Sequence, residues 1–260
     1  MPDLETPYYR EIDHEVSTCE MAWRERLPLL LKGPTGCGKT RFAEHMAARL
    51  GRPLISIACN EDTTAADLLG RHLIIGGGTV WFDGPLTRAV REGAIVYLDE
   101  FLEARADTLV VIHSLTDHRR SLMLDRRNEE LLAPPEFMLI VSYNPGYQLG
   151  FKELKPSTRQ RFLALEFTYP EPEVEAEIVI AEAGIASDRA KQLVKFAAKI
   201  RNLKQLGLSE APSTRLLVGA AKLIKAGMPP RTACRVAVVN ALTDDAEIAE
   251  SLQDLANLHF

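Results

Sequence analysis

The stretch Gly33-Pro34-Thr35-Gly36-Cys37-Gly38-Lys39-Thr40 is where this sequence is best equipped for chemistry, because it fits G-x-x-x-x-G-K-[ST] at every fixed position. Glycines let successive backbone N–H groups turn inward around an anion, and a helix starting behind them adds roughly half a positive charge. Polyphosphate is the ligand such a loop fits. Lys39 is expected to reach the β- and γ-phosphates, and the Thr40 hydroxyl to complete the shell of a bound Mg²⁺. Cys37 lies inside the loop, where a helix end can lower a thiol pKa; it is read as an inert small side chain.

A second group of residues suits the same chemistry. Asp99-Glu100 closes the apolar run Gly93-Ala94-Ile95-Val96-Tyr97-Leu98, which puts both carboxylates at the carboxyl end of a strand, where open α/β sheets bind ligands. Asp99 is expected to hold the metal, directly or through water, and Glu100 to orient and polarise an attacking water. Phosphoryl transfer asks for positioning and charge neutralisation more than covalent chemistry, so this pair suffices. Asn144, in Ser142-Tyr143-Asn144-Pro145-Gly146-Tyr147, also ends a strand, and its amide is expected beside the γ-phosphate, whose presence it can sense. By itself Asn-Pro-Gly signals only a turn.

Three arginines complete the set. Arg159 and Arg161, in Ser157-Thr158-Arg159-Gln160-Arg161-Phe162, precede a strand and therefore sit at the sheet's amino-terminal edge. The strand spans about 17 Å, beyond the reach of an arginine side chain. Either both are solvated or paired with nearby acids, or they act on a neighbour's γ-phosphate in a ring whose sites are completed in trans. Arg215, in Pro212-Ser213-Thr214-Arg215, falls in the first turn of a helix, a poor place for a cation in the helix dipole. It is expected to touch the subunit's own nucleotide and to couple domain closure to phosphate state; the alternative is a plain surface arginine.

These residues need a sheet to position them, and the apolar runs supply one. Pro28-Leu29-Leu30-Leu31, residues 53–58, 93–98, 136–143 and 162–167 read as five buried strands alternating with helical stretches such as Ala104 to Asp117, the pattern of a parallel sheet covered on both faces. Two elements interrupt the alternation: hairpins near 72–83, with a glycine turn, and at 121–133, turning at Asp125-Arg126-Arg127-Asn128. They either grip a partner polypeptide or pack on the domain. Residues 1–12 read as an extended arm pinned by Tyr8-Tyr9, and Asp13 to Arg26 as a helix. The composition breaks at Tyr169-Pro170-Glu171-Pro172. Beyond it Glu173 to Ala183, Asp188 to Lys204, Ser213 to Lys225, Pro230 to Leu242 and Asp244 to Leu258 read as helices, with Leu193, Val194, Ala197 and Ile200 on one face. The expected architecture is an α/β nucleotide-binding domain over 1–170 followed by a small all-α lid over 171–260.

Bulk properties narrow the class. Of 260 residues, 46% are apolar, enough for a sizeable core, and the net charge of −5 gives no global reason to bind nucleic acid or an anionic membrane. The four cysteines have no metal-ligand spacing and read as reduced thiols. No window is apolar for long enough to span a bilayer, and the first residues are not signal-like, so a cytoplasmic protein is expected.

Together, Gly33 to Thr40, Asp99-Glu100, Asn144, Arg159/Arg161 and Arg215 resemble the AAA+ ATPases. Residues 31–42, Ser142 to Gln148, Leu154 to Phe162 and Leu242-Thr243-Asp244-Asp245 are similar to the CbbQ/NirQ/NorQ branch of the MoxR group. The resemblance implies ATP and Mg²⁺ as cofactors, a homohexameric ring, and a larger partner carrying a von Willebrand factor A domain, CbbO- or NorD-like. It also implies a client enzyme to be remodelled: Rubisco for CbbQ, by release of inhibitory sugar phosphates, or nitric oxide reductase for NorQ and NirQ. Overall likeness favours Rubisco. Where that family has a Lys/Gly-rich turn in the second hairpin, this chain has Asp125-Arg126-Arg127-Asn128-Glu129-Glu130. Readings of another class are a small-molecule kinase or GTPase, although no Asn-Lys-x-Asp motif is present, and a DNA-acting AAA+ protein.

Overall fold

In the computed structural model, which describes residues 6–145, 155–203, 208 and 210–260, the unbroken apolar runs become the centre of a sheet. Chain order gives α1 (Glu15–Arg24), β1 (Leu29–Lys32), α2 (Lys39–Arg49), β2 (Leu54–Ala58), α3 (Ala65–Leu69), β3 (Gly70–Ile75), β4 (Gly78–Asp83), α4 (Pro85–Glu92), β5 (Ile95–Asp99), α5 (Ala106–Val111), β6 (Ser121–Leu124), β7 (Glu129–Leu132), β8 (Met138–Tyr143), α6 (Pro156–Arg159) and β9 (Leu163–Glu166). Five of these strands form one parallel sheet in the order β2-β5-β8-β1-β9. Every residue of β8 and Leu29 to Leu31 of β1 are buried, whereas the edge strands β2 and β9 are partly exposed. Parallel pairing requires crossovers, and the helices that make them bring Phe42, Met46, Leu86 and Val90 into the interior.

Residue contacts divide the chain into two units, one holding Asp13–Gly33 and Lys39–Glu166, the other Tyr8–Ile12, Pro34–Gly38 and Phe167–Phe260. The second unit is helical: α7 (Pro172–Ala183), α8 (Ser187–Asn202), α9 (Thr214–Lys225), α10 (Pro230–Cys234), α11 (Asn240–Leu242) and α12 (Ala246–His259). Leu193, Val194, Ala197 and Ile200 of α8 are buried together against Leu217, Ala220 and Ala221 of α9 and Leu252 of α12. Asp245, the last residue of the Leu242-Thr243-Asp244-Asp245 string, caps α12 by accepting from the backbone N–H of Glu247 and Ile248.

Two helices differ from the sequence reading. Instead of one helix from Ala104 to Asp117 there are a 3₁₀ turn at Phe101–Glu103, the short α5 and a second 3₁₀ turn at His113–Leu115. Ala104 and Arg105 are extended, and the Thr108 hydroxyl donates to the Thr63 carbonyl, so a tertiary contact sets where helix starts. The β-branched run Val110-Val111-Ile112 favours an early stop. Likewise Pro230 to Leu242 is not one regular helix, because Arg235–Val239 widens into a π turn between α10 and α11. In the arm Tyr8 is exposed and Tyr9 half-buried, Arg10 pairs with Glu177, and the Pro7 carbonyl lies 2.9 Å from His45 Nδ1.

Candidate active site

The strand order explains how residues far apart in sequence meet. β8 lies between β5 and β1, so the loop after β1, Asp99-Glu100 at the end of β5 and Asn144 after β8 arrive at the carboxyl ends of three neighbouring strands. In the phosphate-binding motif Gly36 and Gly38 take φ of +69° and +105°, backbone that a side chain resists. A Cβ built on Gly38 meets nothing within 4 Å, so the loop leaves open space on that side. The 11-residue α2 begins at Lys39, which supplies the helix N-terminus the motif needs.

Lys39 is buried, and its ammonium donates to the Gly33 carbonyl at 2.8 Å and to Asn144 Oδ1 at 2.7 Å. The Asn144 amide nitrogen donates in turn to Glu100 Oε1 at 3.3 Å. The cation and the carboxylate on either side fix which way this amide points. Beside this chain the Thr40 hydroxyl donates to Asp99 Oδ2 at 3.2 Å. A carboxylate and a hydroxyl side by side, with a lysine nearby, are the hard oxygen donors and counter-charge that a magnesium–triphosphate complex requires. Glu100 has φ +52°, an uncommon left-handed conformation for a residue with a side chain.

Two residues of this cluster were not singled out in the sequence. The Ser142 hydroxyl, fully buried, donates to Asp99 Oδ1 at 2.5 Å and accepts from the Glu100 N–H at 3.2 Å. The Tyr97 hydroxyl donates to the same carboxylate oxygen at 2.8 Å, and burial together with the Asp99 charge raises its pKa. Tyr97 precedes Asp99 by two and so shares its strand face, a signal the sequence did carry. Ser142 depends on β5 lying beside β8, which local pattern does not reveal.

Arg159 and Arg161 lie at the other edge of the sheet. Arg159 ends α6 and is exposed, and Arg161 follows it just before β9, at the amino-terminal edge of the sheet and opposite Asn144. Arg161 Nη1 donates to Asp117 Oδ2 at 3.1 Å and to the His113 carbonyl at 3.2 Å. Hydrogen bonds from Arg119, aided by Arg161, hold the Asp117 carboxyl well below its ordinary pKa, so this pair stays charged. Burial and the Arg161 charge lower the His113 pKa, keeping that ring neutral beside the guanidinium. Arg215, the second residue of α9, belongs to the helical unit, as does the loop segment Pro34–Gly38, and its side chain is exposed. Gly146 to Leu154, which carries part of two sequence strings discussed above, lies outside the described residues.

Three cysteines, Cys19, Cys59 and Cys234, have thiols pushed up to about 12 by burial, and Cys37 is buried as well. Both inserted hairpins form. The first exposes Ile74 (83%), Ile75, Val80 and Phe82, whereas Trp81 is half-buried, stacked edge-on against His72 and bonded to Asp83. Arg91 of α4 ties the two hairpins, donating to Asp83 and to both oxygens of Glu129.

Comparison with known proteins bears on what this geometry serves. Residues 28–162 match the AAA domain (dynein-related subfamily), and residues 175–259 match the CbbQ/NirQ/NorQ C-terminal family. The denitrification regulatory protein NirQ of Pseudomonas aeruginosa is 58% identical over 98% of both chains. The chain belongs to the CbbQ/NirQ/NorQ family of AAA+ ATPases. Family members NorQ of Paracoccus denitrificans, 58% identical over 97% of this chain and 94% of that one, and CbbQ of Hydrogenophilus thermoluteolus, 54% identical over 98% and 95%, bracket it similarly. Among solved structures, a proline-to-glycine variant of Thermotoga maritima RuvB has a TM-score of 0.58 at 16% identity, covering 95% of this chain and 71% of its own. At that identity the likeness concerns the fold alone. As a CbbQ/NirQ/NorQ-type AAA+ ATPase the chain binds nucleotide, and its α/β sheet followed by a helical region is the fold the sequence implied. No helix among the described residues is long and apolar enough to cross a membrane.

Proposed function

We propose that this chain is the motor of an enzyme-remodelling assembly: a homohexamer that hydrolyses Mg²⁺-ATP and works with a larger von Willebrand factor A domain partner on a client enzyme. The observation that carries the reading is the continuous link Lys39–Asn144–Glu100 at the carboxyl edge of the sheet, with Thr40 and Asp99 beside it. In this reading Gly33 to Thr40 cradle the phosphates and Lys39 neutralises their charge. Thr40 and Asp99 hold the magnesium ion, which when bound supplies charge neutralisation on the phosphate oxygens. Glu100 takes the proton of the attacking water. Asn144, bonded to both Lys39 and Glu100, reports the γ-phosphate to the base, and Arg215, on the helix that meets Gly36, adds a cation from the subunit's own lid. Arg159 and Arg161 face away from this site and serve the next protomer.

Ser142 has a testable share in this. By clamping the Asp99 carboxylate and the Glu100 N–H it fixes both acids, so Ser142→Ala is expected to lower ATP turnover about tenfold, the worth of one hydrogen bond to a charged group. Steady-state phosphate release measures this, and circular dichroism reports whether the fold is intact.

Identities of 58%, 58% and 54% to NirQ, NorQ and CbbQ do not separate the clients, so the deciding experiment runs both. The purified chain, its von Willebrand partner and ATP are mixed with inhibitor-bound Rubisco or with immature nitric oxide reductase. Recovery of one client's activity is expected, and it should vanish with the hydrolysis-dead Glu100→Gln motor. Recovery of neither would overturn the reading. The exposed Ile74-Ile75 tip of the first hairpin is the surface this reading assigns to gripping the polypeptide.

A further inference from the structure

The helical unit contains a buried polar network beside its apolar core. Glu175 of α7 is fully buried and receives both terminal nitrogens of Arg201 at 2.7 Å. The Thr214 hydroxyl, in the first turn of α9, donates to Glu175 Oε1 at 2.7 Å. Arg201 also donates through Nε and Nη2 to the Pro212 carbonyl, and its guanidinium lies 4.2 Å from the centroid of the Tyr169 ring. The Tyr169 hydroxyl donates to the carbonyl of Thr35, inside the phosphate-binding motif, at 3.1 Å. Thr35, Tyr169, Glu175, Arg201 and Thr214 all belong to one unit.

A buried ion pair adds little stability compared with apolar residues of the same volume, but separating its partners strands a buried charge, so it ties together the elements carrying it. Here those elements are α7, α8 and the start of α9. A second observation, independent of the network, shows what the arrangement fixes. A Cβ placed on Gly36 would lie 2.5 Å from Ser213 Cβ and 2.7 Å from its hydroxyl oxygen, with Arg215 Cβ at 3.5 Å. The N-terminus of α9 is therefore seated directly on the loop, and only a glycine permits it. Ser213 caps that same terminus by accepting from the Leu216 N–H.

We propose that Tyr169 and the Arg201–Glu175 pair are positioning residues for Arg215: they lock the first turn of α9 against Thr35-Gly36, and nucleotide affinity depends on that lock. The ring of Tyr169 carries Arg201, its hydroxyl holds the loop, and Glu175 holds Thr214. This deepens the reading of Arg215 as a nucleotide contact and rests on it.

The test is a double-mutant cycle in the full chain, with affinity for a fluorescent ATP analogue as the readout and thermal unfolding alongside. Tyr169→Phe keeps the ring on Arg201 and removes only the hydroxyl. It is expected to weaken analogue binding about five- to tenfold and to raise KM for ATP in step, with little change in kcat at saturation or in Tm. In an Arg215→Ala background the same change should have no further effect. Binding by Tyr169→Phe within about twofold of wild type, or an equal loss in both backgrounds, would overturn the proposal. Arg201→Lys keeps the charge but not the two-pronged contact on buried Glu175, and should weaken analogue binding as Tyr169→Phe does while also lowering Tm. If Arg215→Ala alone leaves affinity unchanged, the reading of Arg215 fails. If it weakens binding but Tyr169→Phe adds its loss independently, that reading stands and the lock fails.

Discussion

Glu100→Gln is expected to bind ATP as tightly as the native chain, to assemble normally, and to lose turnover by a factor of about 10² to 10⁴, the usual worth of a general base. The substitution is nearly isosteric, and a glutamine oxygen can still accept the Asn144 amide that Glu100 Oε1 accepts at 3.3 Å. The left-handed backbone at φ +52° is untouched. What disappears is a carboxylate able to take a proton from water. Lys39, Thr40 and Asp99, which this reading assigns to holding the nucleotide, are unchanged, so affinity and chemistry should separate. Phosphate release and binding of a fluorescent ATP analogue measure the two independently. Turnover within about threefold of the native rate would remove Glu100 from the role of base. The conformation of Glu100 supports the assignment: a left-handed residue with a side chain costs on the order of 1 kcal/mol, a strain that tends to persist where a side chain must be aimed. The clamp that aims it, Ser142 on both the Asp99 carboxylate and the Glu100 N–H, is visible in the structure.

The sequence made the sheet legible because its central strands are buried on both faces, and continuous runs such as Leu29 to Leu31 or Met138 to Tyr143 have no other use in a chain of this length. The phosphate-binding motif was legible because its glycines and lysine do one thing at one spacing. Helix Ala104 to Asp117 was misread because a tertiary contact, Thr108 to the Thr63 carbonyl, decides where it starts. The roles of Ser142 and Tyr169 could not be seen either. The first needs the knowledge that β5 neighbours β8, and the second that a tyrosine bonds to a loop carbonyl 134 residues earlier. Residue type announces a phosphate site far more readily than it announces the groups that hold the site still.

Arg161→Ala is expected to reduce ATP turnover about 10³-fold while leaving analogue binding intact, the loss associated with an arginine supplied to a transferring phosphoryl group. Geometry makes this a statement about two protomers. Arg161 precedes β9 at the amino-terminal edge, whereas Asn144 and Glu100 stand at the carboxyl edge of the same sheet. Asp117 and the His113 carbonyl both engage Nη1, so the guanidinium is oriented in advance. Arg159, exposed at the end of α6, lacks that bracing among the described contacts, and Arg159→Ala should cost less. Mixing distinguishes help from a neighbour from help within one chain. A Glu100→Gln protomer lacks the base but carries Arg161; an Arg161→Ala protomer keeps the base. Each alone is expected to be nearly inactive, yet an equal mixture should recover about a quarter of native turnover, because one interface in four pairs an intact base with an intact arginine. If both groups serve the same protomer's nucleotide, every protomer in the mixture lacks one of them and nothing returns. Recovery near that fraction, lost again when Arg161 is also removed from the Glu100→Gln protomer, would make hydrolysis a property of the interface between protomers; its absence would confine the chemistry to single chains.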